Sequence, residues 1–146
     1  MLPAPMLLAL MLGAMLTDAA PAFAGPVCRV SNLMPLVFDA PYDLFDNRPT
    51  DGRVSFSVTC SQAATTELSL IYSHHMSGGA TNGLRYDLFA TPDRRAVWGS
   101  GSDGETVIRS FPAGTPTTVY VYARIPAHQK VAAGRFNDGF FVTARP

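Results

Sequence analysis

Arg53, Val54, Ser55, Phe56, Ser57, Val58, Thr59 and Cys60 follow one another in strict alternation of polar and apolar side chains. In an extended chain successive side chains point to opposite faces, so Val54, Phe56, Val58 and Cys60 share one face while Ser55, Ser57 and Thr59 share the other. A strand of this kind packs one face on a core and leaves the other wet, as antiparallel sheets do. Outward from it the same period of two recurs between Gly and Pro punctuation. Leu68, Leu70 and Tyr72 fall together in the stretch 67–72, and a polar loop follows at 77–83. Leu84, Tyr86 and Leu88 then share a face, residues 105–110 read as a short strand, and residues 117–125, dense in Val, Tyr and Thr, read as the strongest strand. Gly134 opens a final run in which Phe136, Phe140 and Val142 have one parity. With an opening strand near 27–37 the count is about six or seven short strands, the spacing of a sandwich. No window holds apolar residues at helical spacing for more than about two turns. The expected fold is all-β, an immunoglobulin-like β-sandwich.

The two ends and the composition limit what such a domain can do. Residues 1–24 read as a secretory signal peptide: an apolar stretch at 6–16 is too short to span a membrane, and Ala22, Phe23 and Ala24 place cleavage after Ala24. No Lys or Arg precedes that stretch, so the α-amino group alone supplies the positive end. Residues 25–146 remain as one domain with no low-complexity linker and no membrane span. Setting Asp18 aside with the leader leaves eleven basic against ten acidic residues, a formal charge of +1. The basic residues are scattered, which argues against tracking a nucleic-acid backbone. Cys28 and Cys60 are the two cysteines of the chain. In an oxidising compartment they most economically form one disulfide, against the alternatives of two free thiols or half a metal site.

Three clusters carry a family resemblance. The first runs from Cys28 through Leu36, Phe38 and Tyr42 to the strand ending Val58, Thr59, Cys60. The second is Leu84, Arg85, Tyr86, Asp87, Leu88 and Phe89, continuing to Val97, Trp98, Gly99, Ser100 and Gly101. The third is Val121, Tyr122, Ala123, Arg124, Ile125, Pro126, Ala127, His128 and Gln129, then Gly134, Arg135, Phe136, Asn137 and Asp138. Together they resemble the spore coat protein U domain family, secreted pilin-like subunits of the chaperone–usher route. The resemblance implies an incomplete immunoglobulin-like sandwich lacking its final strand, with a groove that a neighbouring subunit fills by donor-strand complementation. It implies a periplasmic chaperone and an outer-membrane usher as partners, and passage through the periplasm to a surface fimbrium or the medium. It also implies a role in adhesion or biofilm formation. Phe136, Phe140 and Val142 are the acceptor-groove candidates. Only Gly25, Pro26 and Val27 lie between a cleavage after Ala24 and Cys28, too few for a donor strand, so a tip or capping position is expected rather than a shaft position. The alternative is a self-contained secreted or periplasmic binding module.

Other chemistries are weaker. Adjacent His74 and His75 point to opposite faces of a strand, so with His128 they make a poor metal site and read as a solvated strand end. Asp39, Asp43 and Asp46 lack the closing Glu and turn Gly of a calcium loop and read as turn formers. Asp103 and Glu105 share one glycine-rich loop without a flanking aromatic cleft, Gly99, Gly101 and Gly104 precede no helix, and no Gly-x-Ser-x-Gly elbow occurs. No catalytic residue, metal or cofactor is therefore expected, and the protein reads as no enzyme. Trp98, Tyr120 and Tyr122 are weighed as an adhesive surface against packing, and packing is preferred. Leu33, Met34 and Pro35 are candidates for an exposed apolar patch.

Overall fold

The computed structural model describes residues 24–78 and 83–146, which form strands, turns and bends without a helix. The leader read at 1–24, its last residue apart, and residues 79–82 of the polar loop lie outside the described residues. In chain order the strands are β1 (Cys28–Ser31), β2 (Val37–Phe38), β3 (Thr50–Cys60), β4 (Ala64–Ile71), β5 (His75–Met76), β6 (Leu84–Arg85), β7 (Asp87–Phe89), β8 (Val107–Phe111), β9 (Thr117–Ile125) and β10 (Phe141–Arg145).

Two antiparallel sheets face each other. In the first, β3 pairs with β9 from Thr50 opposite Ile125 to Val58 opposite Thr117, and β7 adds to the far edge of β9. The other edge of β3 is shared by β1, with Cys28 opposite Cys60, and β2, with Phe38 opposite Gly52. In the second sheet β4 lies between β10 and β8. A small β5–β6 ladder joins Met76 to Leu84. The alternation in β3 does what its sequence requires: Val54, Phe56, Val58 and Cys60 are buried and meet Leu68 and Leu70 of β4 in one core with Val119 and Val121 of β9. Trp98 belongs to that core. It is 1% exposed, its indole N–H donates to the Leu68 carbonyl at 3.1 Å, and its ring lies 6.3 Å from that of Phe56. This arrangement is the all-β, immunoglobulin-like sandwich expected from the sequence.

Cys28 and Cys60 form a disulfide across the β1–β3 pair. The Ser61 amide donates to the Val27 carbonyl at 2.8 Å, which makes the two cysteines a non-hydrogen-bonded pair, where side chains approach closest. Beneath them Thr66 is fully buried with its hydroxyl 3.3 Å from the Cys28 sulfur. A bridged sulfur has no hydrogen, so Thr66 is the donor. Gly52 solves a steric problem on the same edge: a Cβ there would stand 2.6 Å from the Val37 carbonyl oxygen, so only glycine lets β2 close on β3.

Several boundaries differ from the sequence expectation. The opening strand breaks into β1 and β2, with Asn32 in the left-handed region at φ 51° between them. The final run from Gly134 is not one strand: Phe136 and Phe140 precede β10 in an irregular segment, and only Val142 of the three lies in the ladder. The short strand expected at 105–110 is Val107–Phe111. Leu84, Tyr86 and Leu88 are all buried but divided between β6, a break and β7. Tyr120 and Tyr122 occupy the face of β9 opposite the core, where Arg53 stacks over Tyr120 at 5.5 Å and Arg94 over Tyr122 at 5.6 Å. Nearby, Asp51 receives two bonds from Arg124, at 2.7 and 2.9 Å, tying β3 to β9 from outside; these bonds hold the Asp51 carboxyl below its ordinary range.

Removing the bridge frees a long loop in the unfolded chain. Cys60→Ala is expected to lower the unfolding free energy by about 3 to 4 kcal/mol in a denaturant titration. Thr66→Val removes only a bond to a weak sulfur acceptor and is expected to change it by less than about 1 kcal/mol.

Candidate functional site

One side of the sandwich is open. Between the β1–β2 edge and the irregular segment 131–140 run two adjoining depressions, of about 690 and about 440 Å³, which share Phe38, Met76 and Phe136. Buried Met76 and Leu84, from the β5–β6 ladder, line the larger one with Ile125 at the end of β9. Leu36 and Phe38 form one wall, because alternation across exposed Val37 turns both inward. Phe136 and Phe140 form the other, half-buried and packed against the core. Beyond Phe140 the wall continues into β10, whose far edge pairs with no strand among the described residues.

Polar contacts frame this apolar slot. On one wall the Met34 amide donates to the Ser55 carbonyl at 3.0 Å and the Asp39 amide to the Asp51 carbonyl at 2.8 Å. On the other, Ser77 and Asn137 exchange two backbone bonds of 2.9 Å, and Gly78 packs so closely on the Arg135 carbonyl that a side chain would collide with it. The Gln129 side chain clasps Arg85, accepting from its amide and donating to its carbonyl, each at 2.8 Å, while the Gln129 amide donates to the Tyr42 hydroxyl at 2.7 Å. The hydroxyls of Ser73 and Tyr86 both donate to Asp138 at 2.8 Å. Burial works against the Asp138 charge, but these two bonds, with backbone amides of Gly139 and Ser73 adding to them, keep the carboxyl below its ordinary value.

Of the acceptor-groove candidates, Phe136 and Phe140 stand together in the slot. Val142 lies farther along, half-buried in β10 opposite Leu70, and lines neither depression. Met76 carries no sequence signal of its own, since β5 is too short to show a period; Leu84 is read only as sharing a face with Tyr86 and Leu88, and Asp39 and Asp43 only as turn formers. Exposed Leu33 and Met34 line the smaller depression, so the apolar patch suspected there lies on the rim of the slot.

The titratable candidates have structural partners. Asp43 and Asp46 each accept the backbone N–H two residues on, at 2.9 Å, which is turn chemistry. His74 is no solvated strand end. It adopts φ 63°, stacks on Tyr72 at a centroid distance of 4.0 Å, and bridges Asp87 at 3.0 Å and Asp103 at 3.3 Å. Its ring sits between the carboxylates, and among the described residues no three His, Cys, Asp or Glu converge on a common point that could hold a metal ion. Asp103 braces the glycine-rich loop, its carboxyl held down to about 2 first by the Ser100 amide, then by the Ser100 hydroxyl, with the His74 ring adding to it. A depressed carboxyl stabilises the fold above its unfolded value, and that stability is lost as pH falls through the folded value. Denaturant midpoints are therefore expected to hold above about pH 4 and to fall toward about pH 2, with Asp103→Asn flattening that decline.

Among the described residues no helix is long and apolar enough to cross a membrane. No curated protein matches this sequence. A similar solved structure is a chain of the CsuC–CsuE chaperone–tip adhesion subunit pre-assembly complex from the archaic chaperone–usher Csu pili of Acinetobacter baumannii, with a TM-score of 0.56 at 22% identity. The match covers 82% of this chain and 40% of that one, so this chain spans well under half of its length. The likeness supports the sandwich fold. The Spore Coat Protein U domain profile matches residues 15–143, nearly the whole sequence, and the chain belongs to the Spore Coat Protein U domain family.

Proposed function

We propose that residues 25–146 form a single pilin-like domain that serves as a structural subunit of a surface pilus assembled by the chaperone–usher route, and that the slot beside β10 accepts a strand from another chain. The observation that carries this reading is the continuity of the apolar slot with an unpaired edge strand. Backbone groups on that edge call for a partner strand, and Phe38, Phe136 and Phe140 offer apolar surface beside it for alternate side chains of the incomer. The sandwich is incomplete in this sense, wanting a final strand next to β10. A periplasmic chaperone would shield the slot in transit, an outer-membrane usher would exchange it for a neighbouring subunit, and the product would stand at the cell surface in support of adhesion or biofilm formation. The domain has no catalytic role in this scheme. Processing after Ala24 would leave no donor strand ahead of Cys28, which favours a tip or capping position.

A second reading has its own support. Val58, Leu68, Leu70 and Val119 are fully buried in the isolated chain, so a self-contained binding module that needs no partner strand remains a distinct outcome.

The test is periplasmic expression with and without a chaperone from the same genome. The subunit reading expects a soluble one-to-one complex only on co-expression, with the β10 amides protected from hydrogen exchange and Gly25 as the first residue. A stable, cooperatively unfolding monomer without chaperone would establish the binding module instead.

A further inference from the structure

The charges around the slot are of one sign. Asp39 and Asp43 line the larger depression and Asp138 the smaller, and among the described residues no Lys or Arg lines either. Lys130 and Arg135 bracket the wall at 131–134 in sequence but line neither depression. Asp138 is already occupied by Ser73 and Tyr86. At the other end the situation differs. Asp43 spends one oxygen on the Phe45 amide, and the Asp39 carboxylate makes no hydrogen bond or ion pair among the described residues. Two carboxylates without a cationic partner thus stand at one end of an apolar slot, next to the Phe38 wall.

We propose that the slot takes an extended segment of a neighbouring subunit whose inward positions are apolar and which carries Lys or Arg where it passes Asp39 and Asp43. This rests on the strand-accepting reading above and adds the partner's charge to it. The apolar positions supply affinity through burial against Phe38, Phe136 and Phe140. The basic residue supplies register and choice of partner. Since strand pairing through backbone groups tolerates slippage by two residues, a charge at one end singles out one alignment and disfavours an acidic segment.

The experiment challenges the purified chaperone–subunit complex with two synthetic peptides of roughly nine alternating Thr and Val residues, one ending in two Lys and one in two Glu, and follows chaperone release. The Lys peptide is expected to displace the chaperone about tenfold faster at low salt, with the advantage shrinking as salt is raised. Asp39→Asn with Asp43→Asn is expected to abolish the difference. Asn at 43 still accepts from the Phe45 amide and the Asp39 side chain has no partner to lose, so the pair leaves the fold intact, which thermal unfolding checks. Equal displacement by both peptides, or an advantage that survives the double substitution, would overturn the charge inference while leaving the strand-accepting reading standing. Loss of chaperone capture in the double variant would assign the carboxylates to the chaperone and overturn the inference too. Absence of any chaperone complex in the native chain would sink the strand-accepting reading itself.

Discussion

The pairing of β3 with β9 is the constraint on which the remaining structure depends. β3 has partners along both edges, β9 on one side and β1 followed by β2 on the other. Because side chains alternate strictly, a shift of one residue in this register would move Val54, Phe56 and Val58 from the core to solvent. Three features hold β3 among its neighbours, and of them the Asp51–Arg124 pair acts directly on the β3–β9 register. The disulfide fixes Cys60 opposite Cys28, Asp51 binds Arg124 on the outer face, and Gly52 admits β2 where any side chain would push it away. Roughly 25 cal/mol per Å² of apolar surface buried is the driving term, and the three restraints choose which surface is buried.

The same register produces the open slot. Along β3 the edge is covered twice, by β1 near the disulfide and by β2 near Gly52, with the Met34 amide reaching Ser55 between them. Near the disulfide β1 and β10 approach each other and the sandwich closes. Toward β2 the facing sheet ends, because the stretch before Phe141 forms no ladder with β4. Leu36, Phe38, Phe136 and Phe140 are then shielded on one side only. These four large apolar side chains are half-buried together along one slot beside an enclosed inner core.

Much of the fold was legible in the sequence because β3, β4 and β9 are long enough for period-two alternation to accumulate, and their inward residues are the ones alternation selects. Phe136 and Phe140 were legible by parity as residues of one face, although the segment bearing them is not a strand, so parity placed Val142 with them when it lies farther along in β10. Met76 was not legible, since a two-residue strand has no period, and Leu84 was legible as sharing a face with Tyr86 and Leu88 but not as part of the slot. His74 was misread because its backbone leaves the strand at φ 63°, which brings Asp87 and Asp103, distant in sequence, to either side of its ring. Features built by side chains meeting across loops have no local signature; features built by alternation have one.

How the slot stays open follows from what frames it. An apolar cleft in an isolated domain tends to collapse on itself, because closing it removes surface from water. Here each wall is fixed by polar contacts that collapse would break: Met34 on Ser55 and Asp39 on Asp51 for one, Ser77 with Asn137 and Asp138 between Ser73 and Tyr86 for the other, with Gln129 on Arg85 beside them. The Tyr86 bond to Asp138 lies in a partly buried place, and breaking it would leave a group unsatisfied at a cost of about 1 to 3 kcal/mol, comparable with the gain from closing over one aromatic side chain. The cleft is thus held open in the isolated domain, as the proposed strand-accepting role would require. An incomer would meet ordered walls instead of having to order them, so more of its burial energy would appear as affinity.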